Sequence, residues 1–278
     1  MLEVVFVALA GFMVAVPHDW HEKKTWSLQW AYNQNGDQYV AGELYRPTQS
    51  TLTLQRRIGE DARAGLGHDY RVLTLPAVQG VPADTNGHVH QLGVGWRLEA
   101  DHRRYWLAVG LAVSSNALKH PGDLDSEDVR FAGGIEQHLN ESWRVALLAD
   151  DRFGRFRLYP GFELLLRPTS AQEVRLGFPE SSWRWHWAHD FRFEFAVYPD
   201  GGRWQVRDAN LERHSIVRLS SWRAAFGLRW RPLDLLEVKG QVGRQFDTAL
   251  RYQLQDGSQA DVSPADANFF GIALNARF

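Results

Sequence analysis

His88 and His90 stand one residue apart, so a strand through Gly87 to Leu98 puts both imidazoles on one face, within reach of one metal ion. A zinc-type site needs further ligands, and spacing identifies none, which makes solvated loop histidines the expected reading. Ser181, Ser182, His186, His189 and Asp190 supply the residue types of an acyl-hydrolase triad. A triad is defined by geometry and not by proximity in sequence. Strand phase also sets His186 opposite a tryptophan-rich face, away from the bilayer lipids such an enzyme would attack. The chain has no Gly-rich phosphate loop, no Gly-x-Ser-x-Gly elbow, no His-Glu-x-x-His helix and no cysteine. The expectation is a protein without cofactor or metal that is not an enzyme, a lipid acyl hydrolase being the alternative.

The richest constellation is one of charge. Arg97, Arg184, Arg192, Glu194, Arg223, Arg229, Arg231, Glu237 and Lys239 all occupy positions opposite an apolar series. Such a set either lines a pore or anion path, or forms a paired network that fills a narrow barrel. The inward Glu194 and Glu237 provide counter-charge, which favours the network.

The elements that position these charges are strands. Leu92, Val94, Trp96 and Leu98 alternate with Gly93, Gly95 and Arg97, and Tyr105, Leu107, Val109, Leu111 and Val113 follow as the second arm of a hairpin. Trp26, Leu28, Trp30 and Tyr32 alternate near the start, as do Val174, Leu176 and Phe178, then Trp183, Trp185 and Trp187. Phe191, Phe193, Phe195 and Val197 oppose Arg192, Glu194 and Ala196, and Trp222 to Trp230 repeats the pattern against Arg223, Gly227 and Arg229. A soluble sheet with one wet face has the same period. Here the apolar face is loaded with Trp, Phe and Tyr, often at segment ends, and the other mixes charge with Gly and Ala, as in a membrane barrel with aromatic girdles and a polar lumen. The chain ends on Phe278, preceded in phase by Ala276, Leu274, Ile272 and Phe270. A final lipid-facing strand ending in Phe resembles the signal that outer-membrane proteins show to the barrel-assembly machinery.

Composition bounds the reading. The 278 residues carry a formal net charge of −2, which removes the positive field of a nucleic-acid binder. Mean hydropathy is −0.38, and the one long apolar run, Val4 to Val16, is too short for a spanning helix. That run resembles a secretory signal, with Ala8-Leu9-Ala10 as a small-x-small pattern, although Glu3 stands where a cation is usual. Residues 1–16 are therefore expected to be a signal segment or its remnant, and 17–278 one barrel. At about 9 to 11 residues per strand, roughly twelve strands fit best, with ten or fourteen as alternatives. Thr51 to Pro76 and Asp128 to Arg167 alternate less cleanly. Val81 to Gly87, Asn116 to Asp128, Pro199 to Gly202 and Gln255 to Asn268 read as loops, and Arg244 suggests a bulge or an interfacial position.

From Pro160 onward, Gly177-Phe178-Pro179-Glu180, Gly201-Gly202-Arg203-Trp204 and Gly243-Arg244 resemble a functionally uncharacterised group of bacterial outer-membrane β-barrels, a domain of unknown function. The match covers less than half of the chain. It implies an envelope location and a barrel fold, and no activity. The expected protein is an all-β, closed antiparallel transmembrane barrel, largely filled, with a structural or partner-binding role. The alternative is a small passive-diffusion or transport pore. Expected partners are outer-membrane lipid, the barrel-assembly machinery and an envelope protein, with no nucleic acid.

Overall fold

The computed structural model describes residues 26–40, 43–59, 61–73, 87–119, 124, 126, 128–140, 142–207, 214–254 and 256–278. The expected signal segment and most of the expected loop from Val81 to Gly87 lie outside them. The strands are β1 (Trp26–Asn35), β2 (Gln38–Val40), β3 (Glu43–Tyr45), β4 (Thr48–Ile58), β5 (Ala62–Val72), β6 (His88–Ala100), β7 (Arg103–Ser114), β8 (Val129–His138) and β9 (Trp143–Asp150). They continue as β10 (Arg157–Thr169), β11 (Gln172–Phe178), β12 (Ser181–Ala188), β13 (Phe191–Arg207), β14 (His214–Leu233), β15 (Leu236–Leu254), β16 (Gln259–Val262) and β17 (Ala267–Arg277). The one described helix, α1 (Ser115–Leu118), is a single turn after β7.

One antiparallel sheet runs from β1 through β4 to β15, and β17 closes it by pairing with both β15 and β1. β16 pairs only with β15, and β2 with β3 forms a separate hairpin, so the wall has 14 strands. Fourteen exceeds the best-fitting twelve because two segments conceal complete strands. In β5 the inward Gly65 and Gly67 blunt the alternation. In β10 the run Leu164-Leu165-Leu166 hides it, since Leu165 faces inward and is buried.

Closure gives each of the 14 wall strands two neighbours, and the faces are inverted relative to a soluble protein. Leu66, Leu107, Phe131, Phe162, Val242 and Phe270 point outward, each more than half exposed, while Arg104, Glu136, Arg144, Arg175, Glu194 and Arg223 point inward and are buried. Apolar outside and charge inside is stable where the surroundings are hydrocarbon, which also requires every wall amide to be satisfied within the sheet. Short turns, among them 101–102, 170–171, 189–190 and 234–235, mark one rim, and the other carries mostly longer connections, the Pro179-Glu180 turn between β11 and β12 being the exception. Short turns are periplasmic and longer loops extracellular in such barrels.

The outer rim is uneven. β11 and β12 are short and meet at Pro179-Glu180, whereas β13, β14 and β15 continue well above them. Pairing of β12 with β13 ends at Ser181 opposite Val197, and pairing of β10 with β11 ends at Phe162 opposite Phe178. Above that level β13 turns to β7, where Gln205 pairs in parallel with Val113, and Asn116 donates to the Arg207 carbonyl at 3.0 Å. The stretch Pro199 to Gly202 is thus strand, not loop. Pro199 lacks an amide donor, but β13 has no β12 neighbour there, and proline is tolerated on such an edge. Pro160 occupies the matching position on β10, beyond its pairing with β11. The expected loop Asn116 to Asp128 includes most of α1, and Gln255 to Asn268 contains β16 and the start of β17. Arg244 keeps strict phase, points outward and meets Asp266 at 3.1 Å. The irregularity falls beyond it, opposite Ser220 to Trp222, where Asp247 adopts φ 52°.

Candidate functional site

The functional residues line the barrel interior. Near the periplasmic rim Glu194 of β13 receives Arg184 Nε from β12 at 3.1 Å, Arg229 Nη2 from β14 at 3.1 Å and Lys239 Nζ from β15 at 2.9 Å. Arg229 Nη1 also reaches Glu237 at 3.0 Å, Arg231 stands 3.7 Å from Glu237, and Arg192 lies in the same electrostatic neighbourhood. Across the interior a second cluster joins Arg97 and Arg104 to Glu99, then Arg104 and Arg144 to Glu136. These charges come together because alternate residues of neighbouring strands share a face.

Higher up, two walls touch. Arg71 of β5 is held by Asp69 at 2.9 Å and reaches Asp200 of β13 at 3.1 Å, while Arg223 of β14 meets the same Asp200 at 3.0 Å. In the closed sheet β4, β1, β17, β15 and β14 separate β5 from β13 on one side, and β6 to β12 on the other. The Arg71–Asp200 pair therefore crosses the lumen. Gln49 binds Asp69 at 3.0 Å and Asn35 binds Gln245, so polar side chains fill the remaining space at this level.

Above the bridge the lumen is apolar. Leu73, Val89, Ala112, Trp204, Val206, Val217, Leu219, Leu250 and Tyr252 form one buried cluster contributed by β6, β7, β13, β14, β15 and the end of β5. Arg71 lies beneath it, its guanidinium 5.3 Å from the Trp204 ring. The outward residues at this height are polar: Arg218 binds Gln253 at 2.7 Å, and Arg251 faces Asp261. This part of the barrel stands above the lipid.

Sequence reasoning placed Arg223, Arg229, Glu194 and Glu237 on one face but missed Arg71, Asp200, Arg104, Glu136 and Arg144. Most of these lie in segments of weak alternation, where parity relative to an outward residue such as Leu107 or Val145 was the available signal. His88 and His90 are strand residues, not loop residues. His90 is half-buried and stacked on His68, with Nδ1 3.0 Å from His68 Nε2, and no metal-holding group of three occurs among the described residues. The hydrolase set is not assembled: His189 and Asp190 form the β12–β13 turn, while Ser181 and Ser182 begin β12, about 25 Å away along the strand.

A closed antiparallel wall with a lipid-facing apolar belt and a charged interior defines an outer-membrane β-barrel protein, a resident of the bacterial outer membrane. No family model and no curated protein matches the chain. Among solved structures it is similar to an outer-membrane channel from Pseudomonas putida F1, at 11% identity over 95% of this chain and 99% of that one, with a TM-score of 0.45. It is also similar to the P. putida toluene transporter TodX, at 10% identity over 92% and 91% with a TM-score of 0.44. The NanC porin follows at 9% identity over 91% and 100%, with a TM-score of 0.39. The likeness is one of barrel architecture.

Proposed function

We propose that this protein is a filled outer-membrane barrel, closed to axial flow, whose role is structural or partner-binding and not that of a general diffusion pore. The observation that carries this reading is the Arg71–Asp200 contact across the lumen, with the apolar cluster directly above it. A water-filled path needs a polar, unobstructed lumen. Here opposite walls meet side chain to side chain. In planar bilayers the purified protein is expected to show little conductance, with any leak favouring anions because the interior arginines exceed the carboxylates that pair with them. Large, stable open levels would overturn the reading.

The reading assigns the outward face to lipid and the β1–β17 seam to the assembly machinery, with the outer rim left for an envelope protein. At the seam, Phe278 accepts the Trp26 amide at 2.9 Å and returns its own amide to Trp26 at 3.1 Å. Phe270, Ile272, Leu274 and Phe278 are all exposed on the outer face of the closing strand and its end. Phe278→Asp is expected to reduce outer-membrane levels far more than Arg277→Ala, because it removes the lipid-facing aromatic that ends the closing strand, the added charge itself costing only about 0–1 kcal/mol at the interface. Immunoblots of outer-membrane fractions decide the matter, and equal levels for both variants would remove the assembly role from Phe278.

A further inference from the structure

The wall of the barrel has a window. It is bounded below by the β11–β12 hairpin, on one side by β10 from Arg157 to Gly161, and on the other by the unpaired edge of β13 from Tyr198 upward. Above, β13 closes it by docking on β7. The β9–β10 connection, residues 151–156, fills the window. Gly201 of β13 admits this connection, since a methyl there would run into the carbonyl of Arg152.

Phe153 is the side chain that occupies the wall itself. Its ring lies 5.3 Å from the ring of Tyr159, which faces the lumen, and 6.1 Å from that of Trp222, which belongs to the outward face of β14. It stacks on Phe178 at 5.9 Å, and the Arg157 guanidinium covers it at 4.0 Å. Behind it, Trp106, Ala108, Ala132, Leu148 and Tyr159 form an apolar lumen surface separate from the upper cluster. A half-open cavity of about 40 Å³ adjoins Phe178 and Leu148, with Ala146, Gly161, Arg144 and Arg152 also in its lining.

We propose that this window is a lateral binding site for a small lipid-soluble aromatic molecule carrying one neutral hydrogen-bond acceptor, with Phe153 as its plug. The chemistry follows from four observations. First, the rim is apolar: Phe156, Leu158 and Phe162 around it are all exposed on the lipid side, so what arrives there arrives from the bilayer. Second, the slot fits a ring, since an aromatic that displaces Phe153 meets the same partners, the face of Phe178 and the edges of Tyr159 and Trp222. Third, the polar end is an arginine with donors to spare. Arg144 is buried; its Nη1 binds Glu136 at 2.8 Å and Nη2 stands 3.6 Å from Glu163, yet Nε and Nη2 make no hydrogen bond. Fourth, the charges in the lining balance, Arg144 and Arg152 against Glu163 and Glu180, so a charged head of either sign gains nothing and a neutral acceptor such as a phenolic oxygen is favoured.

Photolabelling tests the site. The full chain is reconstituted in phosphatidylcholine vesicles, labelled with 4-azidophenol or with phenyl azide, and the labelled peptides are mapped by mass spectrometry. Heat-modifiable gel migration establishes that each variant is folded. In the wild type, 4-azidophenol is expected to mark peptides containing residues 144–163 and 177–180, and excess phenol should compete for this label but not for label on the outer belt. Phe153→Ala should raise the site label severalfold, and Ala146→Phe, which fills the cavity, should abolish it. Phenyl azide should label the site less, because a buried donor set discriminates against a ligand lacking the acceptor. Label confined to the outer belt, or site label unchanged in folded Phe153→Ala, would overturn the proposal. Equal site labelling by the two azides would remove Arg144 from it. Because axial conductance is read separately, this site and the sealed lumen stand or fall independently.

Discussion

Replacing Glu194 with Ala is expected to destabilise the folded barrel by about 3–5 kcal/mol, the cost of stranding buried charges whose partner is removed. Glu194 is 3% exposed and serves three cations from three other strands, Arg184, Arg229 and Lys239. Only Arg229 and Arg184 keep a second carboxylate, at Glu237 and Glu173 respectively, and the Arg184–Glu173 distance is 3.5 Å. Arg231→Ala is the control. Its guanidinium is 3.7 Å from Glu237 and more than a quarter exposed, so its loss should cost less than about 1 kcal/mol. Urea unfolding in detergent, followed by gel migration, measures both. A Glu194→Ala barrel as stable as the Arg231→Ala barrel would show that the periplasmic cluster does not brace the wall.

The second large effect concerns the outer seal. Trp204→Ala removes the largest buried side chain of the upper cluster, with an expected loss of about 3–5 kcal/mol for a Trp truncated in a packed core. Conductance should nevertheless stay low in this variant, because the Arg71–Asp200 bridge still spans the lumen beneath it. Trp204→Ala combined with Asp200→Ala removes both barriers and should give discrete open levels with anion preference, Arg71 and Arg223 then lining the path with reduced counter-charge. Planar-bilayer recording separates the contributions. Strong conduction by Trp204→Ala alone would mean that the bridge does not seal, and silence of the folded double variant would mean that the obstruction lies elsewhere.

Much of this architecture is present in local pattern. A period of two is a property of each strand, so Phe191 to Val197 and Trp222 to Trp230 announce an outward aromatic face wherever the strands are placed, and Arg192, Glu194, Arg223 and Arg229 follow on the other. The same logic loses strands where both faces carry similar residues, as at Leu164-Leu165-Leu166, or where small residues replace the apolar series. Those places left the number of strands open, fourteen standing as an alternative beside a best fit of twelve. Alternation also says nothing about which inward residues meet. Arg71 and Asp200 are 129 positions apart, and their contact exists because closure of the sheet brings β5 opposite β13. Likewise Pro199-Asp200-Gly201-Gly202 has the composition of a turn, and only the absence of a β12 neighbour at that height lets it run as strand. Phe153 reads as one aromatic in a connecting segment, and its place in the wall depends on where four other elements stop. The sequence by itself determined what each strand shows to lipid and to lumen, because that is set within a few residues. The tertiary structure decided which charges pair, where the lumen is sealed and where the wall opens, because those depend on strand lengths and closure around the whole ring.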